Sequence, residues 1–232
     1  MERRDFLRAC ATSLAASGVP NALAQGTTAR QYPRARLVDP QGKPLRASVL
    51  PPQKNLVFQY PFASTPCFLI NLGKPAKVRA TLRTAANQPY EWTGGVGPGR
   101  SVVAYSAICA HQLAYPTKEI SFISFRAEAS ERNKHPAVIH CCAEHSQYDP
   151  ADGGRVVAGP APQPLAAILL EHDPKTDELT ATGTLGGEMF NQFFAKYEFK
   201  LALELGGAAR QAVTGTSVVS ELDRYCRQQV RC

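Results

Sequence analysis

The stretches SAICAHQLAYPTKEI (residues 106–120) and VIHCCAEHSQYDP (residues 138–150) decide how this chain reads. Each carries one cysteine–histidine pair, Cys109-x-His111 in the first and Cys142-x-x-His145 in the second. Each pair follows an apolar run suited to a strand, so both pairs fall on loops at strand ends that a sheet can bring face to face. Zinc accepts two cysteines and two histidines, but structural zinc generally takes two thiols from one knuckle. One thiol and one imidazole in each loop suit a two-iron centre better. One iron then takes both sulfurs and the other both imidazoles, so each loop touches both metals.

The surrounding sequence predicts an antiparallel all-β domain. LVFQYPF, PCFLINLG, KVRATLRT, ISFISF and PAVIHC are short apolar or alternating runs bounded by proline, glycine or polar residues. PLAAILLEHDPKTDELTATGTL reads as a hairpin turning at Asp173-Pro174-Lys175. Residues 25–55 are rich in proline and basic residues and read as an extended arm with one short strand near Arg36. After Gly187 the apolar period changes. Met189, Phe190, Phe193, Phe194, Tyr197 and Leu201 recur at helical spacing, and the segment 206–232 reads as a helical tail with Ser220 as its N-cap. The aromatic stripe from Phe190 to Tyr197 reads as core or interface.

The first residues, MERRDFLRAC, place Arg3-Arg4 ahead of Phe6-Leu7, an alanine-rich stretch and an A-x-A step at Ala22 and Ala24. In composition and order this is a twin-arginine export signal over residues 1–24, which predicts a periplasmic mature protein. The net charge of +7 leaves an acidic protein partner open, but no dense basic run with interleaved aromatics supports nucleic-acid binding. No apolar run is long enough to cross a membrane as a helix. GGVGPG is a turn and not a phosphate loop, because no Lys-Ser/Thr follows it.

From about residue 102 to 170 the chain resembles the Rieske 2Fe–2S family. That family carries C-x-H-x-G-C in its first loop and C-P-x-H or C-P-C-H-G-S in its second. This chain has C-A-H-Q-L-A and C-A-E-H-S-Q-Y-D, followed by Gly159-Pro160-Ala161-Pro162, a match to the proline-rich third loop that covers the cluster in the family. The resemblance implies a β-sandwich over residues 25–205 with an inserted cluster-binding subdomain at about 106–165. It implies one 2Fe–2S cluster, with Cys109 and Cys142 on the inner iron and His111 and His145 on the outer. Ser146 and Tyr148 would donate hydrogen bonds to sulfur. The family's inter-loop disulfide has no counterpart, since its positions read as Ala114 and Glu144, and the second loop reads one residue short. Glu144, between two ligands, would lower the reduction potential.

Such a protein would pass electrons between a donor and a c-type cytochrome or a larger oxidoreductase subunit. A cluster-free Rieske scaffold for binding or assembly is the alternative. Cys141 reads as pointing away from the site on its strand. Cys67, Cys141, Cys226 and Cys232 remain as spare cysteines, one of the tail pair being a candidate to bridge to Cys67. His135 and His140 read as ordinary strand or loop residues and His172 as solvated.

Overall fold

The computed structural model describes residues 26–131 and 134–232. The export signal read at residues 1–24 lies outside them.

The chain lays down β1 (Arg30–Val38), β2 (Leu56–Gln59), β3 (Pro66–Asn71), β4 (Ala80–Arg83), β5 (Pro89–Trp92) and β6 (Val102–Ser106). Four short strands follow the first loop: β7 (Ile120–Ser121), β8 (Ile123–Arg126), β9 (Val138–Cys141) and β10 (Ser146–Asp149). Then come β11 (Arg155–Ala158), β12 (Ala167–His172), β13 (Leu179–Leu185) and helix α1 (Phe190–Leu205). The tail adds β14 (Gly215–Val218), β15 (Ser220–Glu221), a one-turn helix α2 (Leu222–Tyr225) and β16 (Gln228–Gln229).

The main sheet runs β14-β1-β13-β12-β6-β3-β2-β15 and curls until its ends approach, where the Ser217 hydroxyl of β14 donates to the Gln59 carbonyl of β2. Apolar side chains at alternate positions fill its concave side: Leu37, Phe58, Leu69, Ala104 and Leu179. The second sheet, β11-β10-β9-β8, is inserted between β6 and β12 and carries the second Cys-His stretch. It shares a core with the outer side of the main sheet through Trp92, Tyr105, Ile123, Phe125, Ile139 and Tyr148. Asn55 pins the two sheets together: its side chain donates to the Phe125 carbonyl and accepts from the Phe125 amide. The fold is thus the Rieske-like β-sandwich with an inserted subdomain, as expected.

Two local expectations differ. The N-terminal arm is a nine-residue strand inside the main sheet. Its register slips between Gln31 and Ala35, around Pro33, which has no N–H for the ladder. The proline therefore marks an irregularity and not an arm. The tail is not one continuous helix: a 3-10 helix at Gly206–Arg210 and a one-turn α-helix alternate with three short strands. Gly206 caps α1, and Gly215–Val218, with the β-branched Thr216 and Val218, pairs in parallel with β1 before the chain turns into β15. The α-helical part is the single turn Leu222–Tyr225, without a side-chain cap from Ser220.

Asp152, 5% exposed, joins the inserted sheet to the β4–β5 hairpin, accepting from Lys77 Nζ at 2.6 Å and Arg155 Nε at 2.8 Å. Burial alone would raise its carboxyl, but the two cations outweigh that and hold it below the usual carboxylate range. Its contribution is therefore present at neutral pH and lost as pH falls through the lowered value. Asp152→Ala should lower stability by about 1–3 kcal/mol at pH 7. Denaturant titrations should show the gap to wild type closing only as the pH falls below the ordinary carboxylate range. A gap independent of pH would refute the ion-pair account.

Candidate metal centre between two loops

The first loop leaves the end of β6, where Ala107 N–H donates to Pro66 and Cys109 N–H to Ala114. The second connects β9 to β10, with Cys141 directly opposite Ser146 in the ladder. The two loops bring two buried cysteines, Cys109 and Cys141, into one core, near enough that each shifts the other's titration. The surroundings of the two are alike. The amides of His111 and Gln112 face the Cys109 sulfur, and those of Ala143 and Glu144 face the Cys141 sulfur, the second and third residues on in each loop. Cys109 is held down to about 6, first by the hydrogen bond from Cys141 and, against burial, by Tyr148 and the loop amides. Cys141 is pushed up, because it keeps the proton that Cys109 gives up.

Tyr148 is fully buried in β10, its hydroxyl 3.2 Å from Cys109 Sγ. That hydroxyl accepts the Ala110 N–H at 3.1 Å, so its proton is free to point at the sulfur. Ser146 is equally buried, and its Oγ has no hydrogen-bond partner. The same holds for His111 Nδ1, a buried atom without a partner. A buried polar atom left unpaired is costly. Two such atoms on the segments that carry the paired thiols fit a metal–sulfur group.

Cys142 is placed otherwise than the spacing to His145 implied. It forms a disulfide with Cys232, and Cys141 stands at the site in its place. Cys141 ends β9 and faces inward, which turns Cys142 toward the tail. Counted from Cys141, the second loop is not short. Five positions separate Cys141 from Ser146, as in C-P-C-H-G-S. On that count Ala143, not Glu144, holds the bridging-cysteine position. Glu144 then holds the histidine position and His145 the glycine position. His145 has φ +58°, in the left-handed region that glycine favours. Leu113, at the first loop's glycine position, has φ +60°. Leucine is held there by burial in the aromatic cluster of α1, with Phe190, Phe193 and Phe194. The stripe on α1 is thus core against the first loop, and Lys196 of the same helix donates to the Gln112 carbonyl at 2.7 Å.

His145 is exposed, and its ring lies 5.7 Å from that of His140. Cys67 and Cys226 are free and buried, so no bridge ties the tail to Cys67. His172 is not merely solvated; its Nε2 lies 2.7 Å from Asp177 Oδ1. Gly159 presses on the second loop: a Cβ there would lie 2.5 Å from the His145 carbonyl oxygen. Pro160 is exposed beyond it.

A β-sandwich with an inserted sheet, two facing thiol loops and a third loop laid over the second is the arrangement of a Rieske-type protein, and comparisons with known proteins support that class for this chain. It is 26% identical over 186 residues to the iodate reductase subunit IdrB of Denitromonas iodatirespirans, covering 80% of this chain and 82% of that one. Among solved structures it is similar to the soluble domain of the Rieske protein II (soxF) from Sulfolobus acidocaldarius. The identity is 26% and the TM-score 0.45, over 68% of this chain and 82% of that one. No protein-family model matches the sequence.

Proposed function

We propose that the protein is an electron-transfer subunit of a larger periplasmic oxidoreductase, exported by the twin-arginine route and carrying one iron–sulfur cluster between its two loops. The observation that carries this reading is the buried Cys109–Cys141 pair with the Tyr148 hydroxyl on Cys109. The similarity to a subunit of an iodate reductase supports a larger redox partner. Cys109 and Cys141 would hold the inner iron and His111 the outer, through its unpartnered Nδ1. Glu144, at the count of the family's second histidine, would be the fourth donor. A bound cluster supplies one-electron transfer. Around it, Tyr148 and the loop amides direct protons at sulfur, and the Phe190–Phe194 packing on Leu113 fixes the first loop.

Iron and sulfide assays with electron paramagnetic resonance of the dithionite-reduced protein test this. Two irons per chain and a rhombic signal are expected. Glu144→Ala should lose the signal and His145→Ala keep it; the reverse would return the fourth position to His145. A wild-type protein without iron would favour the second reading, a cluster-free scaffold, which Glu144, Ala114 and Ala143 at family ligand and bridge positions support. Export has its own check. Replacing Arg3 and Arg4 together with lysine should leave the precursor in the cytoplasm, and unchanged export would refute the twin-arginine route.

A further inference from the structure

On the opposite face of β9 from Cys141, four metal-binding side chains meet outside the pocket just described. Cys232 Sγ lies 3.5 Å from both ring nitrogens of His140. The donor atoms of His140, His145 and Cys232 all fall within 4.8 Å of one another. Cys142 is the fourth, joined to Cys232 by the disulfide. Strand alternation separates the two groups: Cys141 points at Cys109, while His140 and Cys142 on either side of it point toward the tail. We propose that His140, His145, Cys142 and Cys232 form a second metal site, for zinc, that is open when the Cys142–Cys232 pair is reduced and closed when it is a disulfide.

Three observations carry this. The first is the donor set, two soft thiolates and two imidazoles, which zinc takes in a tetrahedron with bonds of about 2.0–2.3 Å. Sulfur and nitrogen 3.5 Å apart are already at the spacing of two donors on one such ion. The second is His140. A buried imidazole is ordinarily fixed by a carbonyl or carboxylate. His140 is fully buried, and the sulfur of Cys232 lies within hydrogen-bond reach of either of its nitrogens. The third is the care with which the chain end is brought here. β16 pairs with β7, Val230 N–H donates to Ser121, and Arg126 donates to the Val230 carbonyl. The last residue thus arrives over the second loop held by backbone bonds that do not need the disulfide.

The chemistry balances as thiol–disulfide exchange followed by metal uptake. A dithiol gives two electrons and two protons to the Cys142–Cys232 bond and is itself oxidised to a disulfide. Zinc then binds both sulfurs as thiolates, and two protons leave to solvent. In the oxidised form the sulfurs are spent on each other and only two imidazoles remain, too few to hold the ion. The site stands apart from the cluster reading, since it uses neither Cys109 nor Cys141.

The test uses the full-length protein with cobalt(II) as the spectroscopic stand-in for zinc. After anaerobic reduction with a phosphine, one equivalent of cobalt should give the visible bands of a tetrahedral site with sulfur-to-cobalt charge transfer, bleached by added zinc. The untreated, disulfide-bonded protein should give none of this. Cys109→Ser should keep the signal. Cys232→Ser should abolish it, as should His140→Ala. A reduced protein that takes up no cobalt would overturn the proposal. So would a signal that survives Cys232→Ser and disappears in Cys109→Ser, which would place the metal in the other pocket.

Discussion

Replacing Cys141 with serine is expected to empty the protein of iron, and replacing Cys142 with serine is expected to leave it filled. The two residues are adjacent, so composition and local hydrophobicity cannot separate their effects; only the direction of each side chain can. Cys141 is fully buried against Cys109 and receives the amides of Ala143 and Glu144. A serine there replaces a soft thiolate by a hydroxyl that does not ionise near neutral pH, and iron in sulfur clusters is held by thiolate. Iron per chain should fall from two to near zero. Cys142→Ser removes only the bond to Cys232, which closes a 90-residue separation. Constraints of that kind are worth about 2–4 kcal/mol. The variant should therefore melt earlier than wild type with its iron and its paramagnetic signal intact. Iron lost in Cys142→Ser and kept in Cys141→Ser would restore the ligand set read from C-x-x-H spacing.

That contrast shows what the sequence makes legible. The first loop is readable because nothing competes with Cys109 and His111, and β6 runs into it without interruption. The third loop is readable because Gly159-Pro160-Ala161-Pro162 is long enough to identify. The second loop offers two cysteines, and the choice depends on where counting starts. From His145 the count favours Cys142. From Ser146 and Tyr148, the two side chains buried beside the sulfurs, it gives Cys141. The second anchor is better because β10 is fixed by its ladder to β9, whereas His145 sits in an exposed left-handed turn outside that ladder. The partner of Cys142 could not be read at all, since Cys232 reaches it through β16, a two-residue strand with no sequence signal. The tail is hard to read for a related reason. Thr216, Val218 and Val219 after Gly215 favour a strand, but Leu222–Tyr225 and the flanking charges imitate an amphipathic helix until the pairing with β1 and β2 is seen.

Gly159→Ala should destabilise the protein far more than Gly42→Ala, and it should do so through the second loop. Both glycines have positive φ, +86° and +80°, so an alanine at either one carries the same left-handed backbone cost of about 1–2 kcal/mol. They differ in what surrounds the new methyl group. At Gly42 nothing lies within 4 Å. At Gly159 the methyl would meet the His145 carbonyl oxygen at 2.5 Å and the Ser146 Cα at 2.6 Å. Both are backbone atoms, so relief requires the second loop or the third to move as a unit, and overpacking of this kind adds about 1–3 kcal/mol. At roughly 2–4 °C per kcal/mol for a chain of this size, the melting temperature of Gly159→Ala should lie several degrees below that of Gly42→Ala. Ser146 and Tyr148 sit on the strand that the clash displaces, so iron content should fall in the same variant and stay full in the control. Equal melting temperatures in the two would show that the third loop does not hold the second. A lower melting temperature with full iron would mean that the second loop moves without disturbing Cys141, and that the site is held from β9 alone.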